Sequence, residues 1–484
     1  MKDETALLRI LSAANPWWES GRVLPVLAPE FRRRDFYPLR EEMKDRRITV
    51  VAGPRQVGKT TLLYQLIQDL LSGGADPRTI LFLAMDFPRL QQVADEALTD
   101  ALEVWGERIL AKPWRDLGGG FVFLDEITKL ADWHAVLKGW YDRKLPLKFV
   151  ITDSSLAAVK SGIAQSLVGR ATTHVVLPMK FVDTLMFQEG REEFNDMSLA
   201  LRDALVAGVR SGSPTSVFDA CRAVQGRLAP RERTTLARLQ TYLFSDGYPE
   251  LLRQTDWSAV ARRLREYLDL VFARDLLRLF EIRNPRALSA LVGLLADQTA
   301  GRFEYAGLAK NVGISVDALR EYLDYLEDAF LIIRSEFYTR SRASRLRKQK
   351  KIYFGNVGLA NTLTGNVGPQ LFEDSSYLGR LVETLVADHC KRLLYSLEPG
   401  RDPQLAYWRN YRGQEVDIVV RIAGRPVPLE VKYQTRITGS DRRPIIDFLG
   451  EERDAPFGIV VTRDSLRLAE DLLEIPLHLF LLLS

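Results

Sequence analysis

From Arg47 onward the chain alternates short apolar runs with stretches of helical periodicity. RITVVAG, TILFLAMD, GGFVFLDEI, KFVITDS and HVVLPM are the apolar runs, and Thr60–Leu71 is the clearest helix between them. Runs that are apolar throughout, rather than at every second position, suit strands buried on both faces. Helices that cross between such strands make them parallel. The pattern therefore predicts an α/β domain with a parallel sheet over 46–190.

Before and after that domain the pattern changes. Residues 1–45 read as an amphipathic lead-in, with a helix around Leu7–Ala14, the pair Trp17–Trp18, then Phe31 and the run Arg32–Arg34; the sequence leaves its role open. Residues 191–295 are helix-like, with GVRSGSPTS expected as an exposed loop. Over 296–360, FEYAGLAKNVGISVDALREYLDYLEDAFLIIRSEF reads as helix, glycine turn, helix and strands, the pattern of a winged helix. Residues 361–484 open on a helix, YLGRLVETLVADHCKRLL, followed by strands in LAYWRN, EVDIVVRI, VPLEVKY and FGIVVT. The apolar end IPLHLFLLL is too short to span a bilayer and is expected as a buried terminal strand.

Composition narrows the class without naming a function. A chain of 484 residues is too long for one core, so several domains are expected. With 46% hydrophobic and 27% charged residues it fits a soluble globular protein and excludes a membrane protein, a collagen-like fibre and a disordered chain. The two cysteines, Cys221 and Cys390, form no CxxC pair, and the four histidines are scattered, so neither a disulfide framework nor a zinc site is expected. The first residues, MKDETALLRILSAANPWW, lack the apolar core of a signal peptide, and a cytoplasmic protein without membrane partners is the expectation. The net charge of +4, from 67 basic and 63 acidic residues, does not by itself indicate nucleic acid.

The first chemical motif follows the first strand. Gly53-Pro54-Arg55-Gln56-Val57-Gly58-Lys59-Thr60-Thr61 contains G-x4-G-K-[ST] between an apolar strand and a helix, where a phosphate-binding loop must sit. Glycines let backbone N–H groups curl around the β-phosphate, Lys59 reaches the β- and γ-phosphates, and Thr60 ligates Mg²⁺. Phe121–Glu126 is a later apolar strand that ends in two acids. Asp125 would hold the Mg²⁺ through water, and Glu126 would orient or deprotonate the attacking water. Thr152, Asp153 and Ser154 end a further strand, either as a γ-phosphate sensor or as an N-cap cluster for the next helix. ATP and Mg²⁺ are thus the expected cofactors.

GPRQVGKTT, VFLDEI, VITDSS, SLVGR and LPMKFVD together resemble the bacterial and archaeal AAA+ ATPases whose P-loop domain is fused to a C-terminal domain. YLFSDGYPELL, LREYLDYLEDAFLI, KIYFGNVGLAN, GRLVETLVADH and WRNYRGQEVDIVV extend the resemblance, which covers roughly residues 30 to 470. Asp153 departs from it, since the family usually has Gly before the serines. The resemblance implies that Arg170 is an arginine finger inserted into a neighbouring subunit's site, and hence a homo-oligomer, with a hexameric ring as one arrangement. A surface salt bridge is the alternative for Arg170.

A second constellation lies near the C-terminus. Asp417 opens DIVVRI, a turn at Gly424 follows, and VPLEVKY returns with Glu430 and Lys432 on one face, pointing toward Asp417 across the hairpin. Glu383 would come from the preceding helix. Carboxylates converging on a divalent cation beside a lysine suit phosphodiester hydrolysis, and the set resembles the PD-(D/E)xK nucleases. A nuclease-like fold that only binds DNA and a solvated strand face remain alternatives.

Between the strand that ends the winged-helix pattern and KIYF lies a local concentration of charge. Arg340, Arg342, Arg345, Arg347, Lys348, Lys350 and Lys351 are seven cations with no acid among them, more than the excess of the whole chain. They are the expected phosphate contacts, following a would-be recognition helix, Ser315–Asp328, that is itself too acidic for base reading. A solvated loop or a partner-binding patch is the alternative. Taken together, the sequence predicts an ATP-driven DNA motor or remodelling protein that recognises DNA structure, at branches or ends in repair or recombination, rather than sequence. The rivals are a nucleotide-driven switch with a non-catalytic C-terminal domain and an ATP-gated nuclease.

Overall fold

The computed structural model describes residues 3–93, 96–277, 282–339, 341, 348–398 and 403–484. The chain divides into two compact units, Met1–Leu177 and Pro178–Ser484.

The first unit contains the expected parallel sheet. Its strands are β1 (Ile48–Ala52), β2 (Ile80–Ala84), β3 (Gly120–Asp125), β4 (Leu147–Asp153) and β5 (Ala171–Val175), in the order β2-β3-β4-β1-β5 with every pair parallel. β1 and β4 are buried along their whole length, which is why those runs are apolar without alternation. This order puts β4 between β1, which feeds the phosphate-binding loop, and β3, which ends in the two acids.

The lead-in belongs to this unit. Leu7 and Leu11, from the helix Glu4–Ala14, lie fully buried in the same apolar cluster as Ile48, Val50 and Leu124. Asn15 pairs with the backbone of Phe82 in both directions, and the indole N–H groups of Trp17 and Trp18 both donate to the carbonyl of Ile80. The lead-in thus satisfies backbone groups of β2, the edge strand, which would otherwise be open to pairing with another chain. Buried Arg33 donates to the carbonyls of Val57 and Leu177, so this segment also braces the phosphate-binding loop.

In the second unit, the expected loop GVRSGSPTS is instead a tight turn between helices. One helix runs Glu193–Ser211, Gly212 takes a left-handed conformation (φ 81°), and the next helix begins at Thr215. The helices Tyr305–Val312 and Val316–Asp328 are joined through Gly313 (φ 75°), as the glycine turn predicted. The strands β6 (Gly301–Phe303), β7 (Ile332–Phe337) and β8 (Lys350–Phe354) that accompany them do not form a separate sheet. With β9 (Leu405–Arg409), β10 (Glu415–Ile422), β11 (Arg425–Lys432), β12 (Gly458–Thr462), β13 (Arg467–Ala469) and β14 (Leu472–Pro476) they make one mixed, nine-stranded sheet of order β13-β14-β12-β11-β10-β9-β7-β8-β6. The seam is the parallel pairing of β7 with β9, so the expected division at 360/361 runs through a continuous sheet.

The C-terminus differs from expectation in kind. Only its first residues belong to β14, and Leu477–Leu483 coils into buried helical turns. An unbroken apolar run has no period from which strand and buried helix can be told apart. Among the described residues, no helix is long and apolar enough to cross a membrane.

Candidate functional site

The phosphate-binding loop is shaped by backbone demands that its sequence meets. Gly58 ends the loop at φ 94°, and a Cβ on Gly53 would lie 1.9 Å from the carbonyl oxygen of Val176; neither position admits a larger residue without strain. Helix Lys59–Ser72 begins at once, which directs its N-terminal N–H groups toward the loop.

Four elements bring the side chains together. The Lys59 ammonium is folded back onto the loop, donating to the carbonyls of Gly53 at 2.8 Å and Pro54 at 2.9 Å. Burial pushes its pKa below the usual lysine value, partly offset by Glu126 and Asp125. The Thr60 hydroxyl donates to Asp125 Oδ2 at 2.7 Å, and Thr152 donates to Asp125 Oδ1 from the intervening strand. Burial raises the pKa of Asp125 despite these two donors, so this carboxylate stands to gain from a nearby cation. A hydroxyl and a carboxylate already in contact, both oxygen donors beside a buried lysine, are the chemistry a Mg²⁺–nucleotide requires, and Thr60 and Asp125 are the residues that would hold the ion. When bound, such an ion neutralises phosphate charge.

Glu126 follows β3 in a left-handed conformation (φ 54°), with its N–H donating to Thr152 Oγ1. Its carboxylate accepts from Ser154 at 3.4 Å and lies 3.6 Å from a guanidinium nitrogen of Arg55. The candidate base is therefore held beside the phosphate-binding loop by a cation of that loop. This role of Arg55 was not anticipated beyond backbone phosphate binding, because it depends on where β3 ends.

The three sensor candidates separate. Thr152 and Ser154 face the two acids. Asp153 instead accepts from the N–H and hydroxyl of Thr128 and from the N–H of Ser155, ahead of the helix Leu156–Gly162. Its carboxylate thus ties the end of β4 to the turn that follows β3. Arg170 sits where β5 begins, its carbonyl accepting from Ile48 N–H at the start of β1. Its guanidinium pairs with Asp142 at 3.0 Å and is half-buried. Since the phosphate-binding loop follows the other end of β1, Arg170 and the loop lie at opposite ends of the sheet.

The C-terminal acids also converge, with an addition. Asp417 and Glu430 are opposite one another on β10 and β11, the Asp417 N–H donates to Glu430, and Lys432 donates to Glu430 at 2.7 Å. Glu383 comes in from the helix Ser375–Leu397, where burial, then neighbouring Asp417, push its pKa up to about 7. At the centre is Lys351 of β8, whose ammonium lies 2.5 Å from Glu383, 3.1 Å from Glu415 and 3.2 Å from Asp417.

This corrects the expectation for Lys350 and Lys351. Lys351 and Lys350 are buried, 2% and 4% exposed, and Lys350 is paired with Glu336. Neither has surface with which to meet a phosphate. Lys348 is exposed and lies 5.3 Å from the ring centroid of Phe337, while Arg340, Arg342, Arg345 and Arg347 lie outside the described residues. The spacing did hold a signal for the buried cluster. Lys351 and Tyr353 in KKIYF, and Glu415 and Asp417 in EVDIVV, are each two residues apart and so share a strand face.

Comparison with known proteins matches three segments of the chain to family models. Residues 45–185 match the family described as an AAA domain. Residues 236–370 and 378–480 match two families described as domains of unknown function (DUF8612 and DUF4143). An uncharacterized protein of Methanocaldococcus jannaschii, MJ1544, is 25% identical over 292 residues, 59% of this chain and 56% of its own length. The chain thus spans little more than half of that relative. An uncharacterized protein of Mycobacterium tuberculosis, Rv2008c, is 26% identical over 416 residues, 84% of this chain and 76% of its own length. Among solved structures, a Walker-type ATPase of Pyrococcus abyssi covers 71% of this chain and 99% of its own, at 16% identity and a TM-score of 0.43. The match to an AAA domain falls on the segment that holds the parallel sheet and the phosphate-binding loop.

Proposed function

We propose that the protein hydrolyses ATP, with Mg²⁺, and uses the cycle to drive a DNA-binding remodelling activity as a homo-oligomer. One observation carries the hydrolytic part of this reading: Thr60, Asp125, Thr152 and Glu126 form a single hydrogen-bonded array beside Lys59. In that array Lys59 exchanges its two carbonyl partners for phosphate oxygens. Thr152 holds Asp125 in place, and Glu126 takes the proton of the attacking water. Binding that draws Arg55 toward phosphate would release Glu126 for that role.

The oligomer is inferred from Arg170. Its distance from its own phosphate-binding loop suits action on a neighbouring subunit. Arg170→Ala is expected to lower turnover by about 10³-fold with nucleotide affinity kept, as loss of a charge-stabilising arginine does elsewhere. Steady-state phosphate release and nucleotide titration check this, and unchanged turnover returns Arg170 to a surface pair with Asp142.

The DNA reading is supported by the remaining cations, Arg340, Arg342, Arg345, Arg347 and Lys348, five in nine residues. It is tested by ATPase rate with single-stranded, duplex and branched DNA, and by replacing the four arginines with alanine. DNA affinity should then fall, and the slope of log affinity against log salt should become shallower by about 0.9 for each phosphate that is no longer neutralised. An ATPase indifferent to every DNA form, with binding unaffected by the four substitutions, removes DNA from the account. The nuclease alternative is disfavoured by what occupies the acid cluster.

A further inference from the structure

A nuclease of the kind the C-terminal motif resembles needs its acids free to hold a divalent ion, and the residues present do not fit one. We infer that Lys351 is a built-in cation that occupies the centre of this acid cluster in place of a metal ion, so that the C-terminal sheet is a metal-independent, non-cleaving module. This inference stands apart from the nucleotide site.

The donor set carries the argument. An ammonium has three N–H bonds, and Lys351 has three carboxylate partners, Glu383, Glu415 and Asp417, at 2.5, 3.1 and 3.2 Å. The acids are engaged further. The second oxygen of Glu415 lies 3.1 Å from the Arg302 guanidinium, and that of Asp417 accepts the Val431 N–H at 3.0 Å. Glu383 also accepts from the Tyr353 hydroxyl at 3.2 Å. Glu430 is taken by Lys432 and the Asp417 N–H. A Mg²⁺ ion would need oxygens at about 2.0–2.1 Å in octahedral array. It would have to bind the same oxygens as the ammonium, against like-charge repulsion in a buried, low-dielectric place. Among the described residues, no group of three or more His, Cys, Asp and Glu side chains is disposed to hold a metal ion.

Lys351 cannot readily swing away. It is 2% exposed, and its strand is paired on both sides, with Arg302 on β6 and Ser335 on β7 as its register partners. Leaving the cluster would strand three carboxylates, only 14–23% exposed, without their shared cation.

The test is Mn²⁺ binding to the full chain without nucleotide, by electron paramagnetic resonance, in wild type, Glu383→Gln, Lys351→Met and the double variant. Any ion at the phosphate-binding loop is common to all four, so differences report the C-terminal cluster. The expected result is identical binding by wild type and Glu383→Gln, and an extra equivalent in Lys351→Met that the double variant loses. Lys351→Met is also expected to melt several degrees lower in EDTA, on the order of 5 °C, from the penalty of leaving part-buried carboxylates unpaired. Mn²⁺ binding by wild type that disappears in Glu383→Gln overturns the inference, as does a folded Lys351→Met chain that gains no ion. If Lys351→Met does not fold, the wild-type and Glu383→Gln pair alone decides. Mg²⁺- or Mn²⁺-dependent nicking of supercoiled plasmid by wild type, absent in Asp417→Ala, also overturns it.

Discussion

Lys59→Ala is expected to lower ATP hydrolysis by at least about 10²-fold, the usual loss when a pre-placed charge-stabilising donor is removed from a water-excluded site. The side chain is 6% exposed and makes its two hydrogen bonds to carbonyls of its own loop. Phosphate oxygens can take the place of both carbonyls. The variant should fold. Burial lowers the folded pKa of Lys59 below 10.5, so the unfolded chain binds this proton more tightly. The resulting cost to stability is present throughout the pH range below the folded pKa and fades as pH rises toward the unfolded value. Alanine removes that cost, although it leaves the Gly53 and Pro54 carbonyls without this donor. A melting temperature near that of wild type, with phosphate release lost and nucleotide affinity weakened, is the expected combination. Full activity in Lys59→Ala would remove the phosphate-binding loop from the chemistry.

The second large effect is Glu126→Gln, expected to slow hydrolysis by about 10²–10⁴-fold, the contribution of a positioned general base. Glutamine keeps the size of the side chain and an oxygen that can accept from Ser154, and the backbone bond to Thr152 does not involve the side chain. What it loses is the negative charge facing Arg55 and the ability to take a proton. Nucleotide binding should therefore persist while turnover fails, the opposite emphasis from Lys59→Ala. Equal losses of affinity and turnover in both variants would mean that Glu126 supports the loop rather than the reaction.

How legible each part was in the sequence follows from how local its causes are. β1 and β4 are buried on both faces, so burial wrote itself into continuous apolar runs. Gly53 and Gly58 are there because of backbone crowding and a positive φ, which the motif records. The lead-in was opaque because its role rests on hydrogen bonds to Ile80 and Phe82, more than 60 residues away. Lys351 was misread for a related reason. Its neighbours in sequence are cations, while two of its partners lie 64 and 66 residues away on β10. A local count of charge registers the first fact and not the second. Asp153 was ambiguous between two roles that both place a short polar side chain at a strand end, and the bond it makes to Thr128, 25 residues away, could not be read from its neighbours in sequence.

One array, from Lys59 to Glu126, is expected both to bind and to hydrolyse ATP. Single-turnover conversion of labelled ATP, with wild type and Glu126→Gln each in excess over nucleotide and Mg²⁺ present, tests it most directly. Wild type is expected to convert its bound ATP to ADP, while Glu126→Gln binds with similar affinity and holds ATP intact over the same interval. Conversion at the same rate in both, or no conversion by wild type alone, with DNA or at any protein concentration that permits assembly, would contradict it.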